Sequence, residues 1–277
     1  MRRILVPLDP SPHSDEAIRY ACMIAREHGA ILVGLGVHDA PGIADSLSQV
    51  KNYQPDYAAG KEAEALAESH AILKKMARHF GDVCLDEQVL SRFEELEGVP
   101  AEVIADYAGF FDLVVVSAKS NFNFESSCVY GEALKHVVAH SVTPVMVIPD
   151  GVDAEKHHQV LIAYDGSRVA KRAIKDYVRV WRHDEHAIRI VMVHDDEAIA
   201  RAMLIEARGY LKAHGLEHIQ TIHSTEPVIP TFTGEHYEWA DLVVFGAHTK
   251  KSLMDFAIGS LSRELISRAD KPLFVGL

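Results

Sequence analysis

The chain has 277 residues, of which 48% are hydrophobic and 25% charged, a balance that suits about two globular domains, each able to bury a core. With 28 Lys and Arg against 40 Asp and Glu its net charge is −12, which argues against a broad nucleic-acid-binding face. Three scattered cysteines, Cys22, Cys84 and Cys128, form no CxxC pair, and no apolar stretch approaches the ~20 residues of a membrane helix, so reduced thiols, no membrane and a cytoplasmic setting are expected.

Met1-Arg2-Arg3-Ile4 could mimic a targeting peptide, but Asp9 interrupts the apolar run, and Ile4 to Leu8 is read as a first strand. Apolar residues at Ala17, Ile18, Ala21, Cys22, Ile24 and Ala25 recur with helical period, and Gly29 is the expected stop. Ile31–Val37 reads as a buried strand. The segment from Asp39 to Pro55 is rich in Gly, Pro, Ser and Asp and reads as a loop or lid. A helix is expected from Asp56 to Phe80, ended by Gly81, then a strand over 83–90. Pro100–Tyr107 reads as a helix with proline in its first turn, Leu113–Ser117 as a strand, Gly131–His140 as a helix and Val145–Ile148 as a strand.

The same order then recurs. Strands are expected at 160–164, 188–193, 218–223, 242–246 and 272–276. Helices are expected at 167–181, 196–214 and 260–268, with a short irregular one over 227–238. Asp9 and Asp165 are 156 positions apart, as are Val37 and Val193; Gly131 and Gly259 are 128 apart, as are Pro144 and Pro272. The first βαβ unit and the tail are therefore both preserved, and the difference falls in the interior, mostly in the 39–55 segment. Strands alternating with helices predict an α/β fold of two tandem doubly wound parallel sheets, over residues 1–150 and 158–277. Both copies end on an apolar strand whose edge needs a partner, so 145–148 and 273–276 are expected to pair antiparallel in an intramolecular pseudo-dimer.

Ligands of such sheets bind at the carboxyl edge, where strand order reverses, which brings Asp165 and Gly246 to one crevice. The segment beyond it reads Gly246-Ala247-His248-Thr249, nine residues, then Gly259-Ser260 at the head of a helix. Phosphate oxygens need converging N–H donors, and a helix N-terminus supplies unpaired ones with a partial positive charge. Glycines let backbone approach the ligand, and the Ser260 hydroxyl can donate as well. Lys250 and Lys251 could screen phosphate charge or be merely solvated. Gly259 and Ser260 could equally be an ordinary turn and cap, and Asp9 and Asp165 could each cap the helix that follows.

On these residues the chain resembles the universal stress protein family in tandem form, whose motif is G-x-x-G, nine residues, then Gly-Ser or Gly-Thr, with an aspartate ending the first strand. The resemblance implies a site for an adenine nucleotide, ATP with or without Mg2+. Asp165, Ala163 and Val193 would hold the base. Gly246, Thr249, Gly259, Ser260 and Ser262 would hold the sugar and phosphates, with Tyr164, Phe245, His248 and Leu261 alongside. Thr249 stands where the family has glycine, and its Cβ narrows the loop. The resemblance also implies binding rather than catalysis, with at most slow ATP turnover.

The first copy departs further. It reads Ser117, Ser120, ten residues, then Gly131-Glu132, and a carboxylate at Glu132 would repel phosphate. This copy is expected to be a degenerate site with a structural role. His136 and His140 have i, i+4 spacing, yet no third ligand is evident, and no metal site is expected. The alternative function is a nucleotide-free scaffold for an unidentified protein partner. Whether two chains pair further is left open.

Overall fold

The strongest signals, the runs Ile4–Val6, Leu113–Val116, Val160–Ile162 and Leu242–Phe245, become central strands, all fully or almost fully buried. The computed structural model describes residues 1–48, 55–120, 122, 132–152, 159–181, 186–247, 249–252 and 255–277. The chain divides into two units, Met1–Val142 and Thr143–Leu277.

In the first unit β1 (Arg3–Pro7), β2 (Ile31–His38), β3 (Ser91–Glu97) and β4 (Leu113–Ser117) form parallel pairs in the order β3-β2-β1-β4. Helices α1 (Ser14–His28) and α3 (Pro55–Asp86) pack together, as do α4 (Pro100–Tyr107) and α5 (Glu132–His140), and α1, α3 and α4 all reach β2. Gly29 ends α1 in the left-handed region, φ 58°.

Three expectations fail here. The 39–55 segment is not wholly a loop, because α2 spans Ala40–Ser48. Asp39 opens it by accepting from the Gly42 N–H at 3.0 Å, and Pro41 suits a first turn. The long helix passes through Gly81, where a Cβ would meet no described atom within 4 Å, and ends at Asp86, two residues before Gln88 takes the left-handed φ of 57°. The strand expected at 83–90 is therefore the last four residues of α3 and the turn after it, with Val83 and Cys84 buried and Leu85 and Leu90 exposed. The strand lies instead at the charged Ser91–Glu97, whose terminal place in the order explains its polarity.

The second unit holds β5 (Val145–Ile148), β6 (Gln159–Ala163), β7 (Ala187–Val193), β8 (Ile219–Ser224), β9 (Leu242–Gly246) and, near its end, β12 (Leu273–Gly276). Its order is β5-β12-β9-β6-β7-β8, parallel except at β5. The expected antiparallel pair is present: Leu273 faces Val147 and Val275 faces Val145. That pairing joins β5, a strand of the first sequence copy, to the second unit.

The helices are α6 (Arg168–Val180), α7 (Glu197–Ala213), α8 (Val228–Thr233), α9 (Glu235–Trp239) and α10 (Ser260–Arg268). Helix α6 lies on β9 and β12, and α7 on β7 and β8. The irregular helix expected over 227–238 is the pair α8 and α9. The segment between Gly246 and Gly259 contains a ribbon, β10 (Thr249–Ser252) antiparallel to β11 (Asp255–Ile258), with Thr249 facing Ile258. No helix among the described residues is long and apolar enough to cross a membrane.

Candidate functional site

Strand order in the second unit reverses between β6 and β9, and a crevice must open at their carboxyl ends. A cavity of about 220 Å³ lies there. Its lining brings together Ala163, Tyr164 and Asp165 from the end of β6, Val193 from β7, Phe245 and Gly246 from β9, and Gly259, Ser260, Leu261 and Ser262 at the head of α10. Ten residues named from the sequence thus converge from four separate segments. His248 lies outside the described residues, and Thr249 opens β10.

Three lining residues carried no sequence signal: Ala170 on α6, and Val228 and Phe232 on α8. Only the fold brings α8 over the crevice.

Two helix N-termini approach this edge, and they differ. At α6 the Ser167 hydroxyl accepts from the Ala170 N–H at 3.1 Å, so that end is capped. At α10 the capping position is Gly259, which has no side chain to cap the first turn. The N–H groups of that turn are therefore oriented for an outside acceptor, with the helix dipole favouring an anion. Ser260 is exposed there and Ser262 is buried.

The two glycines do different work. A Cβ on Gly246 would stand 2.7 Å from the Val169 carbonyl carbon and 2.8 Å from the Ala170 nitrogen, so this glycine is required by packing against α6. At Gly259 a Cβ would meet nothing among the described residues within 4 Å.

Asp165 is exposed, lines the cavity, and accepts from the Ser167 N–H at 2.9 Å through Oδ1. It thus shapes the turn into α6 and still presents carboxylate to the crevice. Burial, with help from Glu206 and Asp165, raises the Tyr164 phenol above its ordinary pKa, so it stays protonated at neutral pH.

Asp9, the matching residue of the first unit, is 2% exposed and its Oδ1 accepts from the Ser11 backbone and from the Ser11 and Ser14 hydroxyls. There the capping role has taken the carboxylate over. Gly131 and Cys128 lie outside the described residues. Cys22 and Cys84 are free thiols, both buried, with sulfurs 4.0 Å apart. No third His, Cys, Asp or Glu among the described residues joins His136 and His140, whose rings stack 4.0 Å apart.

A crevice at the switch point of a doubly wound parallel sheet, beside a helix that opens on glycine, defines a Rossmann-like α/β fold. The chain belongs to the universal stress protein family, whose model matches residues 1–149. Among solved structures, a universal stress protein from Archaeoglobus fulgidus is similar over 99% of this chain and 97% of its own, at 20% identity and a TM-score of 0.68. A functionally unknown protein from Pseudomonas aeruginosa is similar over 99% of this chain and 92% of its own, at 14% identity and a TM-score of 0.58. The cytoplasmic domain of a prokaryotic cation chloride cotransporter is similar over 100% of this chain and 95% of its own, at 12% identity and a TM-score of 0.53. At such identities the likeness is one of fold. No protein of curated function matches the chain.

Proposed function

We propose that this protein binds an adenine nucleotide, ATP with or without Mg2+, in the crevice of its second half, and acts in the cytosol as a stress-response binding protein that signals to a protein partner. In this reading residues 158–277 are a second universal stress protein domain that carries the working site, and residues 1–150 are a domain whose own site has lapsed. The observation that carries it is the convergence of Asp165, Gly246, Gly259 and Ser260 on one cavity beside the uncapped α10.

The chemistry of the lining suits the parts of a nucleotide separately. Tyr164, Phe232 and Phe245 offer aromatic surface to a planar base. An ionised Asp165 only accepts, and adenine presents an exocyclic amine that only donates. The cavity, about 220 Å³, is below the ~300–1,000 Å³ of pockets that enclose drug-sized ligands. It therefore suits the base and part of the sugar, with the phosphates outside along the first turn of α10.

The same small volume favours a second reading, a scaffold that binds no nucleotide. One experiment separates the two. Purified protein is heat-denatured, released nucleotide is identified by chromatography, and ATP is titrated calorimetrically into stripped protein. Adenine nucleotide in the supernatant, or saturable binding lost on Asp165→Ala, supports the first reading. Protein that is empty and ignores added ATP leaves the scaffold.

A further inference from the structure

Three side chains of the first unit meet away from that crevice. His38 ends β2, His70 sits within α3, and Glu95 lies on β3. Their potential ligand atoms all fall within 4.8 Å of one another. His70 and Glu95 are exposed, whereas His38 is 5% exposed and its Nε2 makes no hydrogen bond among the described residues. Glu95 Oε2 stands 3.6 Å from that nitrogen, too far for a hydrogen bond. The His70 ring lies against the His38 ring, centroids 3.8 Å apart and tilted by 56°.

The other side of the His38 ring is already engaged. Nδ1 is 3.1 Å from the hydroxyl of Ser69, itself buried beside His70 on α3. With the proton on Nδ1 the hydroxyl accepts it, and Nε2 keeps a free lone pair with Glu95 Oε2 3.6 Å away. A simple ion pair would need His38 protonated, but burial and the neighbouring His70 hold its pKa below the ordinary value. A neutral imidazole is also the form that binds metal. Zinc bonds of ~2.1 Å at tetrahedral angles separate two ligand atoms by about 3.4 Å, close to the His38–Glu95 gap.

We propose that His38, His70 and Glu95 form a binding site for one divalent transition-metal ion, zinc being the best fit, with a fourth position open to water. Two imidazoles and one carboxylate suit Zn2+ better than the all-oxygen preference of Mg2+ or Ca2+. The exposed His70 and Glu95 give the ion its way in. Once bound, it ties α3 to β2 and β3. This site uses no residue of the nucleotide crevice and stands whether or not ATP binds.

The test is zinc titration of the chelator-stripped full chain at pH 7.5, in competition with a chromophoric chelator, followed by thermal melts. Wild type should take up one equivalent and melt higher with zinc. His70→Ala and the near-isosteric Glu95→Gln should each weaken binding at least ~tenfold, with metal-free melts like wild type. Substituted Co2+ should show visible d–d bands without a near-ultraviolet thiolate band. Failure of wild type to bind zinc, variants that bind as tightly as wild type, or a thiolate band pointing to Cys22 and Cys84 would each overturn the proposal.

Discussion

Gly246 sits so close to α6 that a Cβ on it would stand 2.7 Å from the backbone of Val169, whereas a Cβ on Gly259 would touch none of the described residues. Substitutions at the two should therefore separate folding from binding. Gly246→Ala forces backbone apart in a packed interior and should cost about 1–3 kcal/mol, read as a lower urea midpoint. Gly259→Leu should leave the midpoint nearly unchanged and abolish ATP binding in calorimetry. Equal stability losses at both sites would remove the distinction between a packing glycine and a ligand-facing one.

The two strand-end aspartates make a similar contrast. Asp9 is buried and accepts three hydrogen bonds from Ser11 and Ser14, whereas exposed Asp165 accepts from Ser167 and faces the cavity. Asp9→Ala strands buried donors and should destabilise by about 1–3 kcal/mol. Asp165→Ala should change stability by less than about 1 kcal/mol and remove nucleotide affinity. Paired denaturation and binding curves check both. If Asp9→Ala were silent in denaturation, its burial would not be the reason its carboxylate is occupied.

Much of this was legible because the central strands are near-continuous Val, Ile and Leu, and because glycine and Ser260 open α10 at a readable spacing. What escaped has physical causes. Strand β3 is charged since it ends the strand order of its unit, so Arg92, Glu94, Glu95 and Glu97 hid it. Leu85 and Leu90 look like strand residues but are 76% and 75% exposed, and they drew the strand to the wrong place. In the Pro- and Gly-containing α2, one Asp39 carboxylate on the Gly42 N–H outweighed a loop-like composition. Phe232 reaches the cavity only through the path of α8, a tertiary fact with no local signature. His38, His70 and Glu95 are too far apart in sequence to read as a ligand set.

The antiparallel join of β5 and β12 buries Val147 and Val275 completely. A carboxylate at either position has no partner in the sheet and faces a large desolvation cost. Val275→Asp should therefore cost about 3–5 kcal/mol, enough to abolish cooperative unfolding in a domain of ordinary stability. Val275→Ile keeps the apolar character and should stay folded, with a melt within a few degrees of wild type. Circular dichroism melts of the pair decide this. A cooperatively folded Val275→Asp of normal midpoint would mean that the β5–β12 pairing is not made.

Stability should fall as the solution is acidified from pH 7.5 to 5.5, through two histidines of the first unit. Burial, and then the neighbouring imidazole, hold His38 and His136 below the ordinary value of 6.5, with His70 acting on one and His140 on the other. A histidine depressed in the folded state leaves stability untouched above pH 6.5, where it is neutral whether folded or not. Below that, the unfolded chain takes up a proton that the folded one refuses, and stability drops until the folded pKa is passed. Asp39 and Asp176, raised by burial above the ordinary carboxylate value of 3.8, run the other way, gaining stability as pH falls through their raised values. Urea midpoints measured in chelator should decline over this interval, and His136→Gln should shallow the decline. A midpoint that stays level to pH 5.5 would show that neither imidazole is held neutral by the fold.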